Sequence, residues 1–206
     1  LLKRHKKQTG KKSHTTHKHI PMSYGFYIKI DYSIIPKRYI KKLNIPTNLT
    51  IYRGTNAAKH FMKTMIEIGT KIEFLYKINI PMTNLTKDEE ARFENATNCE
   101  CCLKSFKQFN LIKCRDHNHF TGKFRSILCV ACNFEMRNVS FVPIYFHNLS
   151  YDSHFIVREL GFNTKNIHVI PNSNEKYISF SKDISSAFRL KFVDTYRFMA
   201  ESLSTL

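Results

Sequence analysis

The chain has 206 residues and a formal charge of +17, from 33 Lys and Arg against 16 Asp and Glu, and 42% of its residues are hydrophobic. That length and apolar content suffice for a packed core and exclude a wholly disordered tail. The charge favours a polyanionic partner, nucleic acid first and an anionic membrane surface second. No run approaches the roughly 18 apolar residues of a membrane span, and no apolar signal region follows the basic start, so a soluble intracellular protein with no membrane partner is expected.

Residues 1–19 read as a basic flexible leader. Residues 1–30 contain eight Lys or Arg (Lys3, Arg4, Lys6, Lys7, Lys11, Lys12, Lys18 and Lys29) and no acid, which suits either a solvated linker or an arm that follows phosphates. The chain begins at Leu1 and stops at Leu206 within an apolar stretch, as expected of a piece of a longer protein. After the leader, "YGFYIKIDYSI" is aromatic and β-branched and reads as a strand. Phe61, Met65, Ile68, Ile72 and Leu75 recur at helical spacing and predict a helix from about Asn56 to Tyr76 with a buried face. Thr86-Lys-Asp-Glu89 matches a capping box, which should start a short helix through about Thr97. Residues 20–97 thus make the first part of an α/β body.

All six cysteines lie between residues 99 and 132, and such clustering argues for metal before disulfides. Cys99-Glu-Cys-Cys102 and Cys129-Val-Ala-Cys132 are two CxxC pairs separated by 26 residues, the layout of a structural Cys₄ zinc site. Cys101 and Cys114 are left over, and a redox CxxC is the competing view. Between the pairs lies Asp116-His117-Asn118-His119, with Asn133 directly after the last cysteine. An Asp and an Asn oxygen suit Mg²⁺, and a neutral His can deprotonate a water for attack on a phosphodiester. Alternate residues of a strand share a face, however, so Asp116 and Asn118 would face away from His117 and His119 unless a turn intervenes. Residues 98–138 are expected to form this small metal module, kept either for hydrolysis or for its zinc and basic surface alone.

Residues 139–206 return to short apolar runs separated by polar turns: "FVPIYF", a helical "YDSHFIVREL", "NIHVI", "KYISF" and "FRLKFV". They should complete a mixed α/β sheet. Asn148-x-x-Tyr151-Asp152 falls where strand meets helix. Asp152 could hold metal while the ring and amide grip a single-stranded end, or it could cap a helix starting near Ser153.

The stretch from Cys99 to Asn133 resembles recombination endonuclease VII, a zinc-stapled ββα-metal nuclease, in its two CxxC pairs enclosing D-H-x-H, then Gly122 and Arg125, with Asn after the final Cys. The resemblance implies that Cys99, Cys102, Cys129 and Cys132 bind structural Zn²⁺. It also implies that Asp116 and Asn133 hold a catalytic Mg²⁺, that His119 is the general base and that His117 binds or orients phosphate. "YFHNLSYD" in turn resembles the second exonuclease motif of protein-primed family B DNA polymerases. "HIPMSYGFYIK", "YRGTNAAKHF" and "PMTNLTKDEEARF" are similar to those of the Polinton or Maverick transposon type. That resemblance implies a ribonuclease H-like exonuclease core, incomplete here, interrupted by the zinc module. Asp152 would be a proofreading-site carboxylate, Asn148 and Tyr151 would contact the strand's 3′ end, and Thr195 in "FVDTYRFM" would contact single-stranded DNA and a terminal priming protein. The nucleus is then a plausible location for a eukaryotic mobile element. The first exonuclease motif is expected upstream of Leu1 and the third beyond Leu206, so a polymerase fragment would be inactive alone. Three functions are thus open: a piece of a DNA polymerase's proofreading region, an autonomous Mg²⁺-dependent structure-selective nuclease, or a non-catalytic zinc-stabilised DNA-binding module.

Overall fold

The computed structural model describes residues 2–8, 14–136, 140–161, 167–173, 176–202 and 204–205. It divides into two compact units, one of residues 1–29, 45–72 and 140–206, the other of residues 30–44 and 73–139. Both mix helices with small sheets.

In the first unit, β1 (Leu2–Gln8) pairs antiparallel with β2 (His14–His19), in the stretch whose composition reads as a leader. β3 (Ser23–Phe26) pairs with β4 (Thr50–Arg53). The strand read into "YGFYIKIDYSI" therefore stops at Phe26. A polar turn ends its reach, because Asp31 Oδ1 accepts the Ser33 backbone N–H at 2.9 Å and the Ile35 N–H bonds the Asp31 carbonyl at 2.9 Å. Helix α1 (Lys37–Lys42) follows in the second unit.

The long helix α2 (Ala57–Tyr76) matches the periodicity of its sequence. Phe61, Met65, Ile68 and Leu75 are buried, as is Met62, which the spacing alone does not mark. In the first unit its apolar face meets a four-stranded sheet ordered β7-β10-β9-β8, formed by β7 (Phe141–Phe146), β8 (Ile167–Ser173), β9 (Lys176–Ser185) and β10 (Phe188–Asp194). β10 runs parallel to β7 and antiparallel to β9. Pro143 lies on the edge strand β7, where the missing N–H is tolerated. Alternate residues Phe188, Leu190, Phe192 and Asp194 of β10 are buried, so an acid ends the core face. Helix α5 (Leu149–Ile156) adds Leu149 and Ile156 to the same core. It begins at Leu149, four residues before the start near Ser153 that an Asp152 cap would require, so Asp152 lies in its first turn and is not the cap.

The second unit holds α3 (Lys87–Asn95), β5 (Lys113–His117), β6 (Phe124–Cys129) and α4 (Val130–Glu135). The capping box is complete: Thr86 Oγ1 accepts from the Glu89 N–H at 3.2 Å, and Glu89 Oε2 accepts from the Thr86 N–H at 2.8 Å. The helix ends at Asn95, short of Thr97. β5 and β6 form an antiparallel hairpin that feeds directly into α4, a ββα unit. Among the described residues no helix is long and apolar enough to cross a membrane.

Gly122 makes the hairpin's turn. Its φ is +73°, and a Cβ there would lie 2.5 Å from the Pro81 carbonyl oxygen. Gly122→Ala is thus both strained and sterically blocked by backbone. It should destabilise the protein by at least about 2 kcal/mol, read as a lower denaturant midpoint at unchanged m-value.

Candidate metal and nuclease site

The four cysteines of the two CxxC pairs come together. The sulfurs of Cys99, Cys102, Cys129 and Cys132 all lie within 4.8 Å of one another, and a tetrahedron with Zn–S bonds of about 2.3 Å needs edges of about 3.8 Å. Two different local structures deliver them. The first pair sits on a tight turn in which Leu103 adopts φ +62° and its N–H bonds the Cys99 carbonyl at 2.9 Å. The second pair brackets the start of α4, with Cys129 at its N-cap and Cys132 within its first turn. The Cys129 N–H donates to Cys99 Sγ at 3.3 Å, joining the two halves. Burial pushes the Cys99 thiol up, but backbone N–H groups of Cys102, Cys129 and Cys101 outweigh it and bring the group down to about 6. Cys132 is pushed up, first by its hydrogen bond to Cys129 and then by burial. Four thiols so close cannot all ionise without counter-charge, and a soft divalent cation supplies it. The residues therefore fit zinc. Cys101 is exposed and Cys114 sits half-buried on β5; neither joins the set.

Asp116, His117 and His119 occupy the end of β5 and the turn beyond it. The hairpin register shifts between Asp116, opposite Ser126, and His117, opposite Phe124. Arg125 is the extra residue, and such a bulge re-aims a side chain that regular alternation would send to the other face. Arg125 Nε and Nη2 donate to Asp116 Oδ2 at 2.6 Å and Oδ1 at 3.0 Å, and Ser126 Oγ donates to Oδ2 at 2.8 Å. Asp116 is 5% exposed. Burial alone would raise its pKa, yet the Arg125 and Ser126 bonds hold it below the usual carboxylate range. Oδ2 is saturated by two donors, whereas Oδ1 accepts one bond and retains a lone pair for a cation.

The His117 and His119 rings meet in a tilted contact, with centroids 4.9 Å apart at 47°. His117 Nε2 lies 3.2 Å from the Ile80 carbonyl, which makes it the donor and leaves Nδ1 to act outward. Burial, then the charges of His117 and Arg125, lower the pKa of His119, while Asp116 opposes them. Asp116, His117, His119 and Arg125 therefore form one electrostatic cluster. The turn is fixed from both sides. The Ile80 N–H bonds the His119 carbonyl at 2.8 Å and the Thr83 N–H bonds that of Gly122 at 2.9 Å, while Tyr39 Oη donates to the Phe120 carbonyl at 3.3 Å. Asn118 is turned to structure, its Oδ1 accepting the Phe120 N–H at 2.8 Å. Asn133 lies half-buried on α4.

The first unit carries a separate polar group. Asn148 adopts the left-handed conformation (φ 65°, ψ 48°) at the N-cap of α5, and its side chain makes no capping bond. Asp194 Oδ1 instead accepts the N–H groups of Asn148 and Tyr196, each at 3.0 Å. Thr195 Oγ1 donates to the Phe146 carbonyl at 3.0 Å, and the exposed Tyr151 hydroxyl pairs with His19 Nδ1. Burial and then the Asp194 charge raise the pKa of Asp152. Asp194 is the residue that motif reading passed over. Its signal was an acid ending the alternating apolar run "FRLKFVD". Asp88 and Glu90 lie in the first turn of α3 in the second unit, and Glu90 pairs with Arg115 at 3.6 Å.

The sulfur geometry sets a direct expectation. The purified chain should carry one zinc per molecule by elemental analysis. Cys132→Ala should lose it, and a strong chelator should lower the melting temperature of the wild type but not of the variant.

Residues 70–151 match the family model of recombination endonuclease VII, a span that contains the cysteine set, the hairpin and α4. No curated protein and no solved structure matches the chain.

Proposed function

We propose that the chain is a divalent-metal-dependent DNA endonuclease of the endonuclease VII kind, selective for DNA structure, with its cleavage site on the β5–β6–α4 unit. The observation that carries this reading is the Asp116, His117, His119 and Arg125 cluster on a zinc-competent ββα unit, inside the stretch that matches a nuclease family. Asp116 Oδ1 and Asn133 would hold Mg²⁺, which when bound supplies Lewis-acid stabilisation of the charge that builds on the phosphate oxygens. His119 would accept the proton of the attacking water at a ring nitrogen. His117, tied through Nε2 to the Ile80 carbonyl, would bind or orient phosphate. Arg125 fixes Asp116 and keeps it ionised.

A second reading draws on the first unit. The Asp152 and Asp194 carboxylates lie near the carboxyl ends of the parallel strands β7 and β10, where open α/β sheets bind ligands. This favours a proofreading-exonuclease region of a protein-primed family B polymerase, ribonuclease H-like in its core, with DNA and a terminal priming protein as partners. In that reading the zinc module is an insertion.

The test is nicking of branched and single-stranded DNA under added Mg²⁺. His119→Ala should cut the rate by about 10²–10⁴-fold without loss of fold, since no hydrogen bond among the described residues uses its ring. Asp116→Ala also removes the partner of Arg125 and Ser126, so its melting temperature must be read beside its rate. Wild-type nicking should rise with pH through a midpoint below the ordinary histidine value of about 6.5, because the lowered pKa leaves His119 neutral at lower pH. Well-folded, zinc-loaded protein that nicks neither substrate would reject the endonuclease reading.

A further inference from the structure

The β1–β2 ribbon touches the polar groups described above through His19, and it carries dense basic sequence. β1 and β2 make a two-stranded sheet of their own. Their register sets Lys3 opposite Lys18 and Arg4 opposite His17. No acid occurs in the first 30 residues to offset them. A lone two-stranded hairpin is marginal in water. The ribbon gathers basic residues with no acid in its own two strands, and a polyanion running along it would supply the missing negative charge. One end is anchored, since His19 Nδ1 pairs with the Tyr151 hydroxyl and their ring centroids lie 5.9 Å apart. His17, Lys18 and His19 are exposed.

We propose that the β1–β2 ribbon is a DNA-binding element that lies along the phosphates of a duplex, separate from the cleavage site. Duplex DNA offers one charge per about 1.7 Å of axis, and its major groove admits a two-stranded ribbon. A membrane surface fits less well. Stable anchoring to one takes an apolar face beside the basic residues, and Leu2 is the sole aliphatic residue in the two strands. The inference rests on the nuclease reading only for the identity of the polyanion.

The experiment compares the full chain with a Lys3→Gln/Arg4→Gln/Lys7→Gln/Lys18→Gln variant, by fluorescence anisotropy on a labelled DNA duplex across a salt series. The slope of log affinity against log salt should become shallower by about 3 to 4, at about 0.9 per phosphate contact, while nicking at saturating DNA persists. The variant should melt no lower than the wild type, because it lowers a large net positive charge. If it nevertheless misfolds, Gln8→Glu with Thr15→Glu brings two negative charges into the same ladder and should flatten the slope by about 2. An unchanged slope in folded variants overturns the proposal. So does wild-type binding to phosphatidylserine vesicles that is as tight as to the duplex at the same salt. DNA that is bound but never cut, with the slope difference intact, would reject the nuclease reading and leave the ribbon's role standing.

Discussion

The convergence of four sulfurs within 4.8 Å is the constraint on which the second unit depends. Among the described residues Phe106, Ile127 and Leu128 are buried beside the cysteines, with Phe93, Leu111 and Phe124 packed around them. So small a core buries too little apolar surface to offset chain entropy with a wide margin. Metal–thiolate bonds add folding free energy that such a core lacks. The same constraint propagates into the site. Cys129 ends β6 and pairs with Lys113 at the start of β5, so placing its sulfur fixes the hairpin register. That register sets Asp116 against Ser126.

Register alone would still leave the polar groups on opposite faces. One inserted residue changes this, because the bulge at Arg125 lets both Arg125 and Ser126 reach the same carboxylate. Beyond the bulge the ladder gives way to a turn tightened by Gly122, which holds the His117 and His119 rings 4.9 Å apart. The turn is held from outside the ββα unit by Ile80, Thr83 and Tyr39. The placement of the Asp116–His119 cluster therefore depends on Tyr39, Ile80 and Thr83 as well as on the hairpin, and the family match likewise starts before the first cysteine.

Local chemistry was legible in the sequence wherever one physical rule dominated. The period of α2, the Thr86 capping box and the four-cysteine set follow from helix geometry, end-group satisfaction and tetrahedral coordination. The stretch after Phe26 was misjudged as strand because aromatic and β-branched composition outweighed the short turn that Asp31 makes. The Arg125 bulge was not legible, since nothing in "GKFRSILC" marks which residue leaves the ladder. Asp194 was missed because motif reading attended to the hydroxyl beside it. Its burial pattern, Phe188, Leu190, Phe192 and then Asp194, becomes informative only once β10 is known to pair with β7.

Asp116 and Asp152 show why a carboxylate's role cannot be taken from its letter. Both are drawn out of water, and desolvation acts on both in the same direction. A guanidinium reverses it at Asp116, where the pKa falls and the charge is kept through internal pairing. A second acid reinforces it at Asp152, where the pKa rises and the charge awaits either a proton or an external cation. The first arrangement is balanced as it stands, by Arg125 and Ser126. The second is electrostatically incomplete, because Asp194 is itself occupied in holding the backbone of Asn148 and Tyr196. Sequence motifs flag both residues alike, and only the charge placed beside each one separates a carboxylate that is already balanced from one that is not.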